Sequence, residues 1–220
     1  MSRTGEGDLS ADKARALKLV PVSREAEKRL DRFVGLLLTW QKKQNLIAPS
    51  TLGEIWTRHV ADSLQLLAVA PAAKTWADFG SGGGFPGIPI ACALADKPGT
   101  MVHLIESNGK KAAFLRESVR VLGVPATVHH MRVEDFGDSC AEPVEVVTAR
   151  ALAPLKDLFA QALPWIERGA IGLFPKGQDV EAELTDAAKY WSIIATKVPS
   201  VTGPGGQIVV LRGLSKRKSA

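Results

Sequence analysis

The sequence predicts an α/β fold, a seven-stranded, mainly parallel sheet with helices on both faces, preceded by a helical extension. Three observations predict it. After Thr75, short apolar runs alternate with segments of helical period. Before Thr75, only helical periods occur. The first apolar run ends in a turn rich in glycine.

The elements follow in order. Pro21-Val22-Ser23 supplies a stop, an apolar flank and a helix cap, and Ala26, Leu30, Phe33, Leu37 and Trp40 then form one apolar stripe. Asn45 and Pro49 close that helix. A second is expected from Thr51, whose hydroxyl and Glu54 have capping-box spacing, through Ile55, Val60, Leu64 and Leu67 to Pro71. Strands are then expected over 76–80, 101–105, 126–132, 144–148, 170–174, 192–198 and 208–211, the last two as an antiparallel pair. Helices are expected over 86–95, 109–122, 155–163 and 180–190. This divides the chain into a helical extension (1–72), a sheet domain (73–213) and a basic tail (214–220). Right-handed crossovers in such a sheet place a ligand at the carboxyl ends of the strands.

Composition narrows the function classes. With 220 residues, 45% of them hydrophobic, the chain can build one substantial core. It has no apolar run of eighteen residues and no secretory signal, so a cytoplasmic protein is expected. Cys92 and Cys140, and the histidines 59, 103, 129 and 130, lack metal-ligand spacing, so no metal is expected. The formal charge of +5 is concentrated at the two ends of the chain. Nine cations (Lys13, Arg15, Lys18, Arg24, Lys28, Arg29, Arg32, Lys42, Lys43) stand against four acids between Asp12 and Lys43. Arg212, Lys216, Arg217 and Lys218 close the sequence. That distribution has the form of a nucleic-acid footprint, although solvated helix faces and a soluble tail would read the same.

The sharpest local feature is the turn from Asp78 to Gly87, with glycines at 80, 82 and 84. These positions permit positive φ and close approach of a ligand to the backbone. An ATP loop would end in Gly-Lys-Ser/Thr, which is missing. The NAD pattern is met formally by Gly82, Gly84 and Gly87, but the helix start carries Pro86 and Pro89. Asp78 two residues ahead of Gly80, and Glu106 at the end of the second strand, fit S-adenosylmethionine better. Asp78 would reach its ammonium, directly or through water, and Glu106 its ribose hydroxyls. After the third strand, Val133 and Glu134 are placed to meet the adenine, against a solvated loop as the plainer reading.

Beyond these single features, the chain resembles the RsmG (GidB) family of 16S rRNA guanine-N7 methyltransferases. The likeness is carried by Arg58-His59-Val60-Ala61-Asp62-Ser63, the block from Asp78 to Pro89, Arg132-Val133-Glu134, Ala149-Arg150-Ala151 and Pro175-Lys176-Gly177-Gln178. It implies a Rossmann-like, class I S-adenosylmethionine-dependent methyltransferase fold. It further implies a cofactor site including Gly80, Phe85, Val133, Glu134 and Arg150, and a substrate in the small ribosomal subunit or its assembly intermediate. An arginine that such proteins often carry before the last strand is missing from Gly203-Pro204-Gly205-Gly206-Gln207, and Arg212 is the candidate replacement.

Guanine N7 has an in-plane lone pair and no proton to lose, so methylation needs positioning rather than a general base. Arg150 and Lys176, beyond strand ends, are expected to position the base or a phosphate, unless they only pair with a nearby acid such as Glu106 or Asp78. Arg58, His59, Lys176 and Arg212 are the RNA-contact candidates, with a structural role equally open for His59. Three rival functions are a methyltransferase for protein or small molecules, a non-catalytic RNA-binding factor keeping the fold, and an NAD oxidoreductase. The last would need a substrate domain for which the chain is short.

Overall fold

A computed structural model describes residues 4–140 and 142–217. Lys218, the last cation of the expected tail, lies outside them. The extension holds helices α1 (Thr4–Leu19) and α2 (Arg24–Gln41), a 3₁₀ turn (Pro49–Glu54), a π-helical turn (Trp56–Ala61), and short helices α3 (Asp62–Leu64) and α4 (Leu66–Val69). Ser23 caps α2 as expected, its side chain accepting from the Ala26 N–H. The Thr51–Glu54 capping box does not form. The Thr51 hydroxyl donates instead to the Ala48 carbonyl at 2.8 Å and also meets His59. The expected second helix runs instead as a 3₁₀ turn, a π-helical turn and two short helices, and Asp12 of α1 caps the π-helical turn. The buried Asp12 carboxylate accepts from the Trp56 N–H at 2.8 Å and the Thr57 N–H at 3.3 Å.

Then β1 (Thr75–Phe79), α5 (Gly87–Leu94), β2 (Met101–Ile105), α6 (Gly109–Leu122), β3 (Ala126–His129), α7 (Val133–Ser139), β4 (Val146–Thr148), α8 (Leu155–Glu167), β5 (Ile171–Lys176), α9 (Val180–Ala187), β6 (Trp191–Pro199) and β7 (Gln207–Lys216) alternate. The sheet order is β3-β2-β1-β4-β5-β7-β6, with only β7 antiparallel to its neighbours. This is the Rossmann-like class I methyltransferase architecture, and its order reverses between β1 and β4, where loops diverge and leave a crevice.

The pleat sends alternate residues to two cores. Trp76, Val102, Leu104 and Val210 pack with Phe33 and Leu37 of α2 and Ile88 of α5. Ala77, Phe79, Val147 and Leu211 pack with Phe136, Phe159 and Trp165 on the other face. The extension therefore shares a core with the sheet.

Several boundaries differ from expectation. β3 stops at His129 rather than at 132, and Val133 opens a helix that was not expected. α8 continues through Pro164, and β7 runs to Lys216, so the first residues of the expected tail belong to the sheet. Among the described residues, no helix is long and apolar enough to cross a membrane.

Candidate active site

The loops after β1 and β4 border two cavities that meet at one residue. A cleft of about 250 Å³ is lined by Gly80, Glu106, Val133, Glu134, Ala151 and Leu152, among others. A wider cavity of about 890 Å³ is lined by Arg15, Arg58, Asp62, Arg150, Ala151 and Lys176, among others. Ala151 borders both. Among the described residues it is also the non-glycine residue with positive φ, at 54°.

In the smaller cleft, Gly80 has φ +66°, and a Cβ there would stand 2.6 Å from the Leu152 side chain. Glu106 is fixed at both oxygens: one accepts from the Gly82 N–H at 2.8 Å and the other from the Asn108 N–H at 2.7 Å. Each oxygen keeps further lone-pair capacity towards the cleft. Val133 and Glu134 stand at the start of α7, and Glu134 accepts from the Gln161 side chain at 2.7 Å. A rigid carboxylate beside a backbone free of Cβ fits a nucleoside diol and would repel a diphosphate, so these residues suit a sulfonium nucleoside. Lys111, Met131 and Gln161, not singled out from the sequence, also line the cleft. Neither a helical position, for Lys111 and Gln161, nor a place between β3 and α7, for Met131, marks them in the sequence.

Three residues expected at the cofactor are buried or turned away from the open face of this cleft. Asp78 does not face the cleft, because alternation along β1 turns it under the glycine turn, fully buried. Its Oδ2 accepts from the Gly87 N–H at 3.1 Å, and its Oδ1 is buried without a hydrogen-bond partner. Burial pushes the Asp78 carboxyl up to about 7, partly offset by hydrogen bonds and by Arg150. Gly84 has φ +88° but turns towards the extension, where a Cβ would stand 3.1 Å from the Phe33 ring. Phe85 is also buried, with its ring under the Arg150 guanidinium at 5.2 Å and beside His59 at 5.0 Å. It bears on Arg150 rather than on the cleft wall.

Arg150 is the hub of the wider cavity. Nη1 donates to the Arg58 carbonyl at 3.0 Å and Nη2 donates to His59 Nδ1. Asp62 Oδ2 lies 3.6 Å from Nη1. Burial lowers the Arg150 pKa from its ordinary value, while Asp62 and Asp78 oppose that shift. The π-helical turn frees the Arg58 carbonyl for this contact. His59 accepts from Arg150 at Nδ1, so its proton sits on Nε2, which donates to Thr51 Oγ1 at 2.8 Å. Burial, followed by the charges of Arg150 and Arg58, lowers His59 to about 3. A buried, neutral ring with both nitrogens engaged orients Arg150. Of the two roles left open for His59, this geometry matches the structural one.

Lys176 ends β5 rather than lying on a loop. It donates to the Ala153 carbonyl at 3.0 Å and pairs with Glu183 at 2.8 Å, instead of with Glu106 or Asp78. Arg58 keeps an exposed side chain, 3.9 Å from Glu54. Arg212 does not reach this cavity. It shares the face of Ile208 and Val210 on β7 and borders a separate groove with Pro21, Leu67 and Val198. Gly203, Gly206 and Gln207 do line the wider cavity, whose cations are Arg15, Arg58, Arg150 and Lys176. Part of the basic footprint is spent internally. Lys13 pairs with Asp31, Arg15 with Asp12 and Glu54, Arg29 with Asp96, and Arg32 donates to the Val121 carbonyl.

Comparison with known proteins agrees with this architecture. The chain superposes on TomG, an O-methyltransferase of Streptomyces achromogenes, with a TM-score of 0.57 at 17% identity, covering 96% of this chain and 99% of that one. An O-methyltransferase of Bacillus cereus gives 0.57 at 15% identity over 94% and 98%. At these identities the likeness is one of fold. Sequence relatives are far nearer. "Ribosomal RNA small subunit methyltransferase G" of Bradyrhizobium sp. strain BTAi1 is 59% identical over 203 residues, 92% of this chain and 91% of that one. The same-named protein of Rhodopseudomonas palustris strain BisB18 is 59% identical over 204 residues, 93% and 87%. The family model described as rRNA small subunit methyltransferase G (GidB) matches residues 26–211, and the chain belongs to that family.

Proposed function

We propose that this chain transfers the methyl group of S-adenosylmethionine to N7 of a guanine in 16S rRNA, presented by the small subunit or its assembly intermediate. The observation that carries the reading is the meeting of the two cavities at Ala151, with Arg150 beside it. Bound in the smaller cleft, the cofactor supplies a methyl carbon activated by its sulfonium. Glu106 holds the ribose hydroxyls, the Gly80 backbone admits the methionine portion, and Val133 with Glu134 meets the adenine.

Across the Ala151 saddle, Arg150 orients the acceptor base so that N7 points into the cleft. Two of its five N–H groups are held by Arg58 and His59, and the remainder can reach O6. Positioning of this kind supplies most of what such a displacement requires. Lys176, tied to Glu183, braces the loop from Ala151 to Ala153 and shapes the cavity wall. Arg58 offers charge to the RNA backbone at the rim.

Duplex RNA hides guanine N7 in a narrow groove, so the target lies in a loop or incompletely closed helix held by ribosomal structure. Labelled-methyl transfer, followed by mass mapping of the rRNA, tests the reading. Small subunits should be methylated at guanine N7 far faster than free guanosine. Equal turnover of free guanosine, label on protein, or failure to bind the cofactor would each overturn it.

A further inference from the structure

We propose that Asp62 selects the base, its Oδ2 accepting the N1–H and N2–H donors of the target guanine beside Arg150. This rests on the reading that guanine N7 is the acceptor.

Adenine and guanine both present N7, so N7 chemistry alone cannot choose between them. The choice must be made on the neighbouring edge. There guanine shows the O6 acceptor followed by the N1–H and N2–H donors, whereas adenine shows an N6 donor and an N1 acceptor. A wall that selects guanine therefore needs a donor followed by an acceptor, in that order away from the methyl. The wall of the wider cavity offers that pair. Arg150 immediately precedes Ala151, the saddle towards the donor, and Asp62 Oδ2 lies 3.6 Å from Arg150 Nη1. Adenine in the same place would set its N6–H against a guanidinium and its N1 lone pair against a carboxylate.

The Asp62 carboxylate is built for one open oxygen. Oδ1 accepts from the Thr202 hydroxyl at 2.8 Å and the Gln65 amide at 2.8 Å. Those groups are tied together, since Gln65 also accepts from the Val201 N–H at 2.9 Å and the Ser200 hydroxyl lies 2.9 Å from that of Thr202. The turn between β6 and β7 thus fixes the carboxylate from behind. Oδ2 makes only the 3.6 Å ion pair with Arg150 Nη1, longer than a good hydrogen bond, and keeps lone-pair capacity for a ligand in the cavity that Asp62 lines. The other carboxylates on the wall are differently used. Glu183 accepts from Lys176 and from the Leu155 N–H. Glu54 sits at the rim with its side chain 48% exposed, against 18% for Asp62. This gives a role to the acid of the Arg58–Ser63 motif, which the methyl-transfer reading leaves unused.

The test replaces the target guanosine with inosine in reconstituted small subunits. Inosine keeps N7, O6 and N1–H and lacks only the N2 amine. The wild-type enzyme should lose about 10-fold to 100-fold in kcat/KM on the inosine substrate, the worth of a hydrogen bond to a charged group. Asp62→Ala should lower kcat/KM on guanosine by about 100-fold and bring the guanosine-to-inosine ratio close to one, with cofactor affinity unchanged by calorimetry. Asp62→Asn, isosteric and still able to accept from Thr202 and Gln65, should also compress the ratio and carries the test if the alanine variant unfolds. Where turnover is too slow, the ratio is read by competition binding. Equal use of inosine by the wild type, or a wild-type ratio in both variants, overturns the proposal. Mapping the methyl to an atom other than guanine N7 would instead overturn the reading beneath it.

Discussion

At the scale of single residues, two buried groups in contact with the Arg150 site titrate in opposite senses. The Asp78 pKa is raised to about 7 by burial, so the folded state holds a proton that the unfolded state releases near 4. Its contribution is present at acid pH and lost as pH rises through about 7. The His59 pKa is lowered to about 3, so its contribution is present above its unfolded value of 6.5 and lost as pH falls towards 3. Burial lowers His103 and His129 as well, adding to the sense set by His59. Between pH 4 and 6.5 the slopes oppose. Asp78→Asn still accepts from the Gly87 N–H and cannot titrate. Its stability, read by urea unfolding at several pH values, should rise with pH by up to about 1.4 kcal/mol per unit more than the wild type over that range. An unchanged slope would place the Asp78 proton elsewhere. For Arg150→Ala, methylation should fall by about 100-fold or more with the fold retained, and Arg150→Lys should not restore it. An ammonium cannot bond Arg58, His59 and a base edge together. Normal methylation by either variant, in the transfer assay, would remove Arg150 from the site. The motifs bearing these residues were legible in the chain; the burial of Asp78 was not, because it depends on which face of β1 the glycine turn closes over.

Among the elements, the π-helical turn shows how a distant segment sets the site. Its opening N–H groups would have no partner if Asp12 of α1 did not accept from Trp56 and Thr57. Asp12→Ala should cost about 2 kcal/mol by leaving buried donors unpaired, seen as a lower unfolding midpoint. It should also reduce methylation, because Arg58 and His59 ride on that turn. Full activity with a normal midpoint would make the clamp incidental. Most strands and helices were predictable from periodicity, including α6 at its observed bounds. The regular helix expected from Thr51 was not delivered, since the Thr51 hydroxyl turns back to the Ala48 carbonyl and the Asp12 carboxylate caps the chain at Trp56 and Thr57 instead. Nor did sequence spacing reveal that Lys176 ends a strand and pairs with Glu183, seven residues on.

For the whole molecule, function follows from where charge remains available after folding. Lys13, Arg15, Arg29 and Arg32 brace helices internally, while Arg58 stands exposed at the cavity rim. Arg58→Ala should weaken RNA association and reduce the slope of log affinity against log salt by about one, measured by filter binding across salt concentrations. A slope equal to the wild type would show that Arg58 neutralises no phosphate. Sequence by itself determined the alternating architecture, the glycine turn and the family, since these depend on short-range periodicity and local backbone freedom. Only the tertiary structure decided which way each side chain of the turn faces and that Arg212 lies on another surface. It also decided that Asp62 stands beside Arg150. Those outcomes depend on strand order and on the face to which the pleat turns each residue, and chain spacing does not encode either.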